Sequence, residues 1–268
     1  MFKWINNKKF KYLEINSFKN RGCNAYFTSR NGGVSKGKYK SLNLGLHTED
    51  NKENVLKNRK ITTNNLNIKF ASLTSAEQTH SDNIHIVNEK DRGKGSLNYN
   101  KAIKNTDALI TGIEDITLLS YFADCVPLYF FDQKNKVIGL AHSGWKGTLK
   151  KIGIKVLNKM NTEFNTQKKD CLIAIGPAIS KNYYEVDDKI INEFKKKFSY
   201  ITEVLVYKGK GRYLLDLPTL NKIMFIKEGV IAENIIESKL CTFSDEDNFY
   251  SYRRDQGKTG RMAGIITL

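Results

Sequence analysis

Two apolar runs, Ser120–Phe131 and Lys136–Ala141, lie on either side of the polar turn Asp132-Gln133-Lys134-Asn135. Aromatic and β-branched residues bounded by turn formers predict a β-hairpin. No other stretch restricts the fold as tightly. A turn closing about Gln133 and Lys134 sets Cys125 opposite His142 at the open end of the hairpin, with Cβ atoms about 4.5–5.5 Å apart. A thiol and an imidazole at that separation can share a metal ion or act as nucleophile and base. A buried cysteine near a strand end and a histidine at a strand-to-helix turn fit the same residues. The pair alone leaves these readings open.

The rest of the chain gives the hairpin its setting. With 268 residues, 40% of them hydrophobic and 11% aromatic, the chain has the material for a substantial core. There is no internal repeat, linker or low-complexity tail, and strands and helices mix without a strict βαβ rhythm. This pattern predicts a single α+β domain over residues 1–268, built on layered mixed sheets flanked by helices. No apolar run reaches the ~18 residues of a membrane span. The basic opening MFKWINNKKFKYLEI lacks a signal-peptide core, so it reads as the first part of the fold of a cytoplasmic protein. Cys23, Cys125, Cys171 and Cys241 are far apart and suggest neither a disulfide framework nor a zinc ribbon. The net charge of +16 favours acidic partners. Its lysines are spread along the whole chain with no basic stripe, which argues against nucleic acid as the main partner.

Along the chain, Phe27–Gly37 carries an Asn-Gly step and three glycines, marking a tight loop where backbone approaches something closely. In the segment after it, Ser41, Asn43 and His47 are plausible ligand contacts. A helix is expected next, capped by Asp50 or Asn51, with Val55 and Leu56 inward. His80 stands in a polar turn. His85 lies in the alternating run Ile84–Val87 and is expected to face solvent. Asp91–Tyr99 reads as a mobile surface loop. Beyond His142, a turn leads into a helix from about Thr148 to Met160. A strand at Cys171–Ile175, an amphipathic helix over Val186–Phe198, and a helix starting at Asp216-Leu217-Pro218 and stopping at Gly229 follow.

His80, Cys125 and His142 together make an N,N,S donor set. Three protein ligands with an open fourth position describe a catalytic zinc site, although spacing alone cannot join His80 to the pair. Zinc deprotonates a thiol ligand and lowers the pKa of a bound water, chemistry that suits attack on an aromatic carbon bearing an amine. Such deaminases need a carboxylate as proton carrier. Asp124 is the only one beside a ligand, and it faces away unless a bulge intervenes. Of the eight arginines, Arg253, Arg254 and Arg261 fall in the last sixteen positions. Arg253-Arg254-Asp255 reads either as a fork for phosphate or carboxylate or as a surface ion pair.

Several motifs occur together and in one order: Gly33-Val34-Ser35 with Ser41–Gly45, Gln78-Thr79-His80-Ser81, Ala123-Asp124-Cys125-Val126-Pro127, Gly139–Gly147, Ile175-Gly176-Pro177 and Ser251-Tyr252-Arg253-Arg254-Asp255. From about residue 20 onward the chain resembles the multicopper polyphenol oxidase (laccase-domain) family, whose members are described as purine nucleoside phosphorylases and, in some bacteria, as a peptidoglycan editing factor. The resemblance implies a zinc site at His80, Cys125 and His142. It also implies phosphorolysis of adenosine, inosine, guanosine and methylthioadenosine, with adenosine deamination as well. It places Arg254 and Asn43 near the substrate, with Ser41 and His47 as further candidates, and implies a fold similar to cysteine-hydrolase-like domains.

Three other readings compete. Copper polyphenol oxidation needs several copper ions and many imidazoles, whereas this chain has four histidines. A metal-free Cys–His hydrolase with Cys125 as nucleophile fits editing of mis-made cell-wall precursors. A non-enzymatic module binding acidic polymers fits the charge. The oligomeric state is not legible in the residues.

Overall fold

Residues 1–268 form fifteen strands and six helices in the computed structural model. The strands are β1 (Phe2–Asn7), β2 (Phe10–Ile15), β3 (Asn24–Thr28), β4 (Leu73–Ser75), β5 (Ile84–Ile86), β6 (Ala108–Thr111), β7 (Thr117–Phe122), β8 (Val126–Asp132), β9 (Val137–Ser143), β10 (Leu172–Ile175), β11 (Glu185–Asp187), β12 (Leu205–Gly209), β13 (Arg212–Leu215), β14 (Ile235–Glu237) and β15 (Met262–Thr267). The helices are α1 (Asn16–Lys19), α2 (Lys52–Leu66), α3 (Trp145–Leu149), α4 (Ile152–Phe164), α5 (Asp188–Lys197) and α6 (Leu217–Lys227).

The expected hairpin is β8 and β9, and its strands are buried along their whole length. Such strands carry near-continuous apolar sequence because both faces are covered. They sit at the centre of a six-stranded sheet ordered β14-β10-β8-β9-β6-β5. A second six-stranded sheet, β1-β2-β3-β15-β7-β4, packs on one face of it. Tyr129, Phe131, Ile138 and Leu140 meet Phe18, Ala25, Leu118 and Ile266 between the two sheets. On the opposite face of the hairpin sheet, Leu128, Phe130 and Ile173 lie under Val156 and Met160 of α4 and Phe225 of α6. The outer face of the second sheet is covered by Leu66 of α2 and by the 42–44 segment. The layering is therefore helix, sheet, sheet, helix, with a small sheet β11-β13-β12 beside α5. Both large sheets are mixed, because β4, β5 and β14 pair in parallel with their neighbours. Each fully buried Phe or Leu in these interfaces contributes about 1.5–3 kcal/mol, so the two-sided hairpin sheet is the main anchor of the fold.

The hairpin register differs from the expected one by two residues. Asp132 pairs with Val137 and Pro127 pairs with His142. The connection is a four-residue loop because the Asp132 carboxylate caps it, accepting from the backbone N–H groups of Lys134 (3.0 Å) and Asn135 (3.1 Å). A slip of two keeps every side chain on its own face. Cys125 and His142 thus become diagonal neighbours rather than facing ones, still within side-chain reach.

Other expectations are adjusted by local chemistry. The helix after His142 is broken into α3 and α4 where Lys151 adopts a left-handed φ of 58°. Val186 lies in β11, and α5 begins after it because the Asp187 carboxylate caps the Ile190 N–H at 3.0 Å. α2 and α6 start at the caps read from sequence, Asn51 and Asp216. Val55 is buried and Leu56 partly so. The Asp91–Tyr99 segment is not a loose surface loop. Asp91 is buried in its first turn and bonded to His85 (2.8 Å) and Lys94 (2.7 Å), while the buried Arg59 donates to the carbonyls of Gly95 and Ser96 at 2.7 Å. That bond to Asp91 also explains why the His85 ring is only 37% exposed.

Candidate metal centre

The centre lies where three connections converge. β7 ends at Phe122, the chain turns through residues 123–125 with Asp124 at a φ of 88°, and β8 begins at Val126. This reversal brings Cys125 beside His142 of β9. His80 arrives on the loop between β4 and β5, itself at a φ of 59°. Gln78 ties that loop to β7, donating to Tyr121 O at 2.9 Å and accepting from Tyr121 N at 2.8 Å. The ligating atoms of His80, Cys125 and His142 all lie within 4.8 Å of one another. Cys125 Sγ is 3.9 Å from His80 Nε2, and the two imidazole rings meet edge-on at 4.9 Å.

Asp107, just ahead of β6, organises two of these donors and was not singled out from sequence. Its buried carboxylate accepts from His142 Nδ1 (2.9 Å), the N–H groups of Thr79 (3.1 Å), His80 (3.1 Å) and Ser81 (2.7 Å), and Ser81 Oγ (2.7 Å). One side chain thus sets the His142 tautomer and fixes the backbone that carries His80. A lone acid at the start of the strand Ala108–Thr111 gives little sequence signal, since its partners lie 26 to 35 positions away.

The electrostatics follow from this packing. Burial disfavours charge on Asp107, but its bonds to His142 and Ser81 outweigh that and hold it at about 2. Burial would likewise push the Cys125 thiol up. The charge and hydrogen bond of His142, with help from His80, bring it down to about 6. Desolvation opposes charge on His142, while Cys125 and Asp107 together raise it to about 9. Each group thus favours the charged form of the other, thiolate for Cys125 and imidazolium for His142.

The donor set fits a metal ion. Tying Nδ1 of His142 to Asp107 leaves Nε2 free to ligate, and the neighbouring space is kept open by Gly144. A Cβ there would lie 2.8 Å from Cys125 Sγ and 3.1 Å from His80 Cδ2. Two imidazoles and a thiolate with room for a further ligand suit zinc chemistry.

The other predicted site residues differ in how free they are. Asp124 is buried, and its carboxylate accepts from Thr242 Oγ1 (2.7 Å), Ser251 Oγ (3.0 Å) and Arg253 N (2.7 Å). It pins the 242–253 segment to the turn that carries Cys125. Arg254 is spent on Asp255 and on the carbonyls of Thr242, Phe243 and Phe249. Arg253 donates to Glu185 O and stacks over Tyr184. Ser41 Oγ bonds to Arg30 O and Gly33 N. The buried Asn43 amide is filled by Thr48, Asp50, Gly45 N and Arg261 N. His47 is exposed, with its ring 5.6 Å from those of Tyr99 and Tyr121.

Residues 24–268 match the family described as multi-copper polyphenol oxidoreductase laccase. The chain belongs to this family. Among the laccase-family relatives, the protein named purine nucleoside phosphorylase YlmD from Bacillus subtilis (strain 168) is 40% identical over 249 residues, covering 93% of this chain and 90% of that protein. YlmD of Geobacillus stearothermophilus, with the same name, is 35% identical over 246 residues, covering 91% and 90%. The crystal structure of the hypothetical protein YfiH of Bacillus licheniformis superposes with a TM-score of 0.95 at 35% identity, covering 100% of this chain and 98% of that one. These likenesses bear out the resemblance read from the motifs and the mixed α+β fold. The His80–Cys125–His142 cluster of this laccase-family chain can hold a metal, and no helix is long and apolar enough to cross a membrane.

Proposed function

We propose that the protein is a cytoplasmic, zinc-dependent purine nucleoside phosphorylase that acts on adenosine, inosine, guanosine and methylthioadenosine with orthophosphate, and that it also deaminates adenosine. The observation that carries the reading is the convergence of His80, Cys125 and His142 within ligand distance, in a chain whose relatives are named purine nucleoside phosphorylases. Zinc held by these donors supplies Lewis acidity at the site. Asp107 holds the His142 tautomer and the His80 backbone in place. Asp124 keeps the Cys125 turn against the 242–253 segment and is the candidate proton carrier. In phosphorolysis a phosphate oxygen bonds to the sugar carbon as its bond to the purine breaks, so the site must hold an anion beside a developing sugar cation. The exposed His47 is the candidate ribose contact, on a segment whose shape Ser41 and the buried Asn43 hold from within. Arg253 and Arg254 brace the segment facing it.

The test is phosphate-dependent release of base from adenosine and inosine, using wild type and Cys125→Ala with zinc content assayed in parallel. Turnover by zinc-loaded wild type, with both zinc and activity lost in the variant, is expected. A zinc-loaded protein that releases no base from either nucleoside sinks the phosphorylase reading.

A second reading rests on a different observation. Cys125, His142 and Asp107 line up as nucleophile, base and orienting carboxylate, the arrangement of a Cys–His hydrolase. Editing of mis-made peptidoglycan precursors suits such a site. Activity of demetallated protein that iodoacetamide abolishes supports this second reading over the first. Copper polyphenol oxidation has no comparable support, because the site gathers two of only four histidines in the chain.

A further inference from the structure

The C-terminal segment brings three arginines towards the centre, and their guanidinium groups differ in what they have left to offer. Arg254 is paired with Asp255 and bonded to three carbonyls, and Arg253 is exposed and turned onto Tyr184 and Glu185 O. Arg261 is half-buried and has no carboxylate partner. Only its Nη1 is used, donating to Thr259 O (2.7 Å) and Gly260 O (2.9 Å). Its Nε and Nη2 carry donors with no acceptor in the protein. Neither atom is sealed from solvent, so both donors are open to an incoming anion.

Its position fits the segment that carries His47. The backbone of Arg261 is bonded to that segment from both sides, its N–H to Asn43 Oδ1 (2.9 Å) and its carbonyl to Leu44 N (3.1 Å). A Cβ at Gly45 would touch Arg261 Cγ at 2.9 Å and His47 Cε1 at 3.1 Å, so the arginine stem and the imidazole flank the same glycine. Tyr252 lies against the guanidinium at 5.6 Å. Tyr252 precedes Arg253, whose N–H bonds to the carboxylate of Asp124, the residue before Cys125, so one ring links the guanidinium to the turn that carries Cys125.

We propose that Arg261, with His47 beside it, is the oxyanion subsite of the cleft, and that its ligand is orthophosphate held through the free Nε and Nη2 donors. A planar fork with two donors on one edge matches two oxygens of a phosphate. The identification of the oxyanion as the co-substrate rests on the phosphorylase reading, whereas the binding site itself does not.

The experiment uses the zinc-loaded full chain as wild type, Arg261→Gln, Arg261→Lys and Arg254→Gln. Equilibrium dialysis with labelled orthophosphate is run beside initial rates of inosine phosphorolysis. Arg261→Gln is expected to raise the phosphate KM and dissociation constant by about ten- to a hundredfold, with zinc content unchanged and the inosine KM within about twofold. Arg261→Lys keeps the charge and loses the fork, and it is expected to fall between the two. If Arg261→Gln fails to fold, Arg261→Lys decides, and wild-type phosphate affinity in it overturns the proposal. So does an effect confined to Arg254→Gln, or a wild type that binds no phosphate. A wild type that binds phosphate through Arg261 without cleaving nucleosides sustains the subsite and removes the phosphorylase reading instead.

Discussion

At the scale of single residues, the centre depends on a carboxylate that no motif announced. Asp107 receives six hydrogen bonds from the two histidine-bearing segments. Replacing it with Asn puts an amide NH₂ where an all-acceptor group is required, so at least one N–H of the His80 loop or of His142 loses its partner. Removing a group that orients a metal-bound histidine weakens metal binding about 10–100-fold. Asp107→Asn is therefore expected to weaken zinc affinity by that factor, measured by competition with a chromophoric chelator. Unchanged affinity would mean that His80 and His142 are positioned without it. The metal-ligand residue types were readable from the motifs, but Asp107 was not, because a carboxylate ahead of a strand has many ordinary uses.

At the scale of elements, the segment around Asp91 shows how a polar stretch becomes rigid. Gly, Lys and Asn composition suggests a surface loop, yet Asp91 is buried in a cage of His85, Lys94 and the Asn88 N–H. Desolvation opposes its charge, and the bonds to Lys94 and His85 more than compensate, lowering its pKa to about 2. A depressed carboxylate contributes stability that is complete above its unfolded value near 3.9 and fades as pH falls towards 2. Asp91→Asn is expected to cost about 1–3 kcal/mol at neutral pH and to flatten the stability profile in that acid window. Urea unfolding at pH 7 and at pH 3 checks this: a variant deficit as large at pH 3 as at pH 7 contradicts the assignment. The hairpin makes the complementary point. Its existence and its faces were legible from apolar residues, but its register was set by Asp132 capping the loop, a hydrogen-bond choice that periodicity does not encode.

At the scale of the whole molecule, the three donors join different layers. Cys125 and His142 belong to the hairpin sheet, and His80 belongs to a loop leaving β4 of the other sheet. A metal bound there links the sheets in the folded state only, so it stabilises by mass action. Removing zinc with a chelator is expected to lower Tm by about 8–16 °C, since about 4 kcal/mol at a thousandfold excess over Kd translates to roughly 2–4 °C per kcal/mol in a domain of this size. Cys125→Ala should show no such shift in differential scanning calorimetry. An equal shift in both proteins places the stabilising metal elsewhere.

The sequence by itself determined the mixed α+β class, the buried central hairpin, the principal helix caps and the family, because burial and capping leave local patterns and the motifs are long enough to be jointly specific. Only the tertiary structure decided that His80 reaches the Cys125–His142 pair. It also decided that one buried carboxylate holds both histidines, and that Arg261 rather than Arg254 keeps donors free for an anion. Those are contacts between segments distant in the chain. Their geometry follows from how the sheets stack, and chain order carries no record of it.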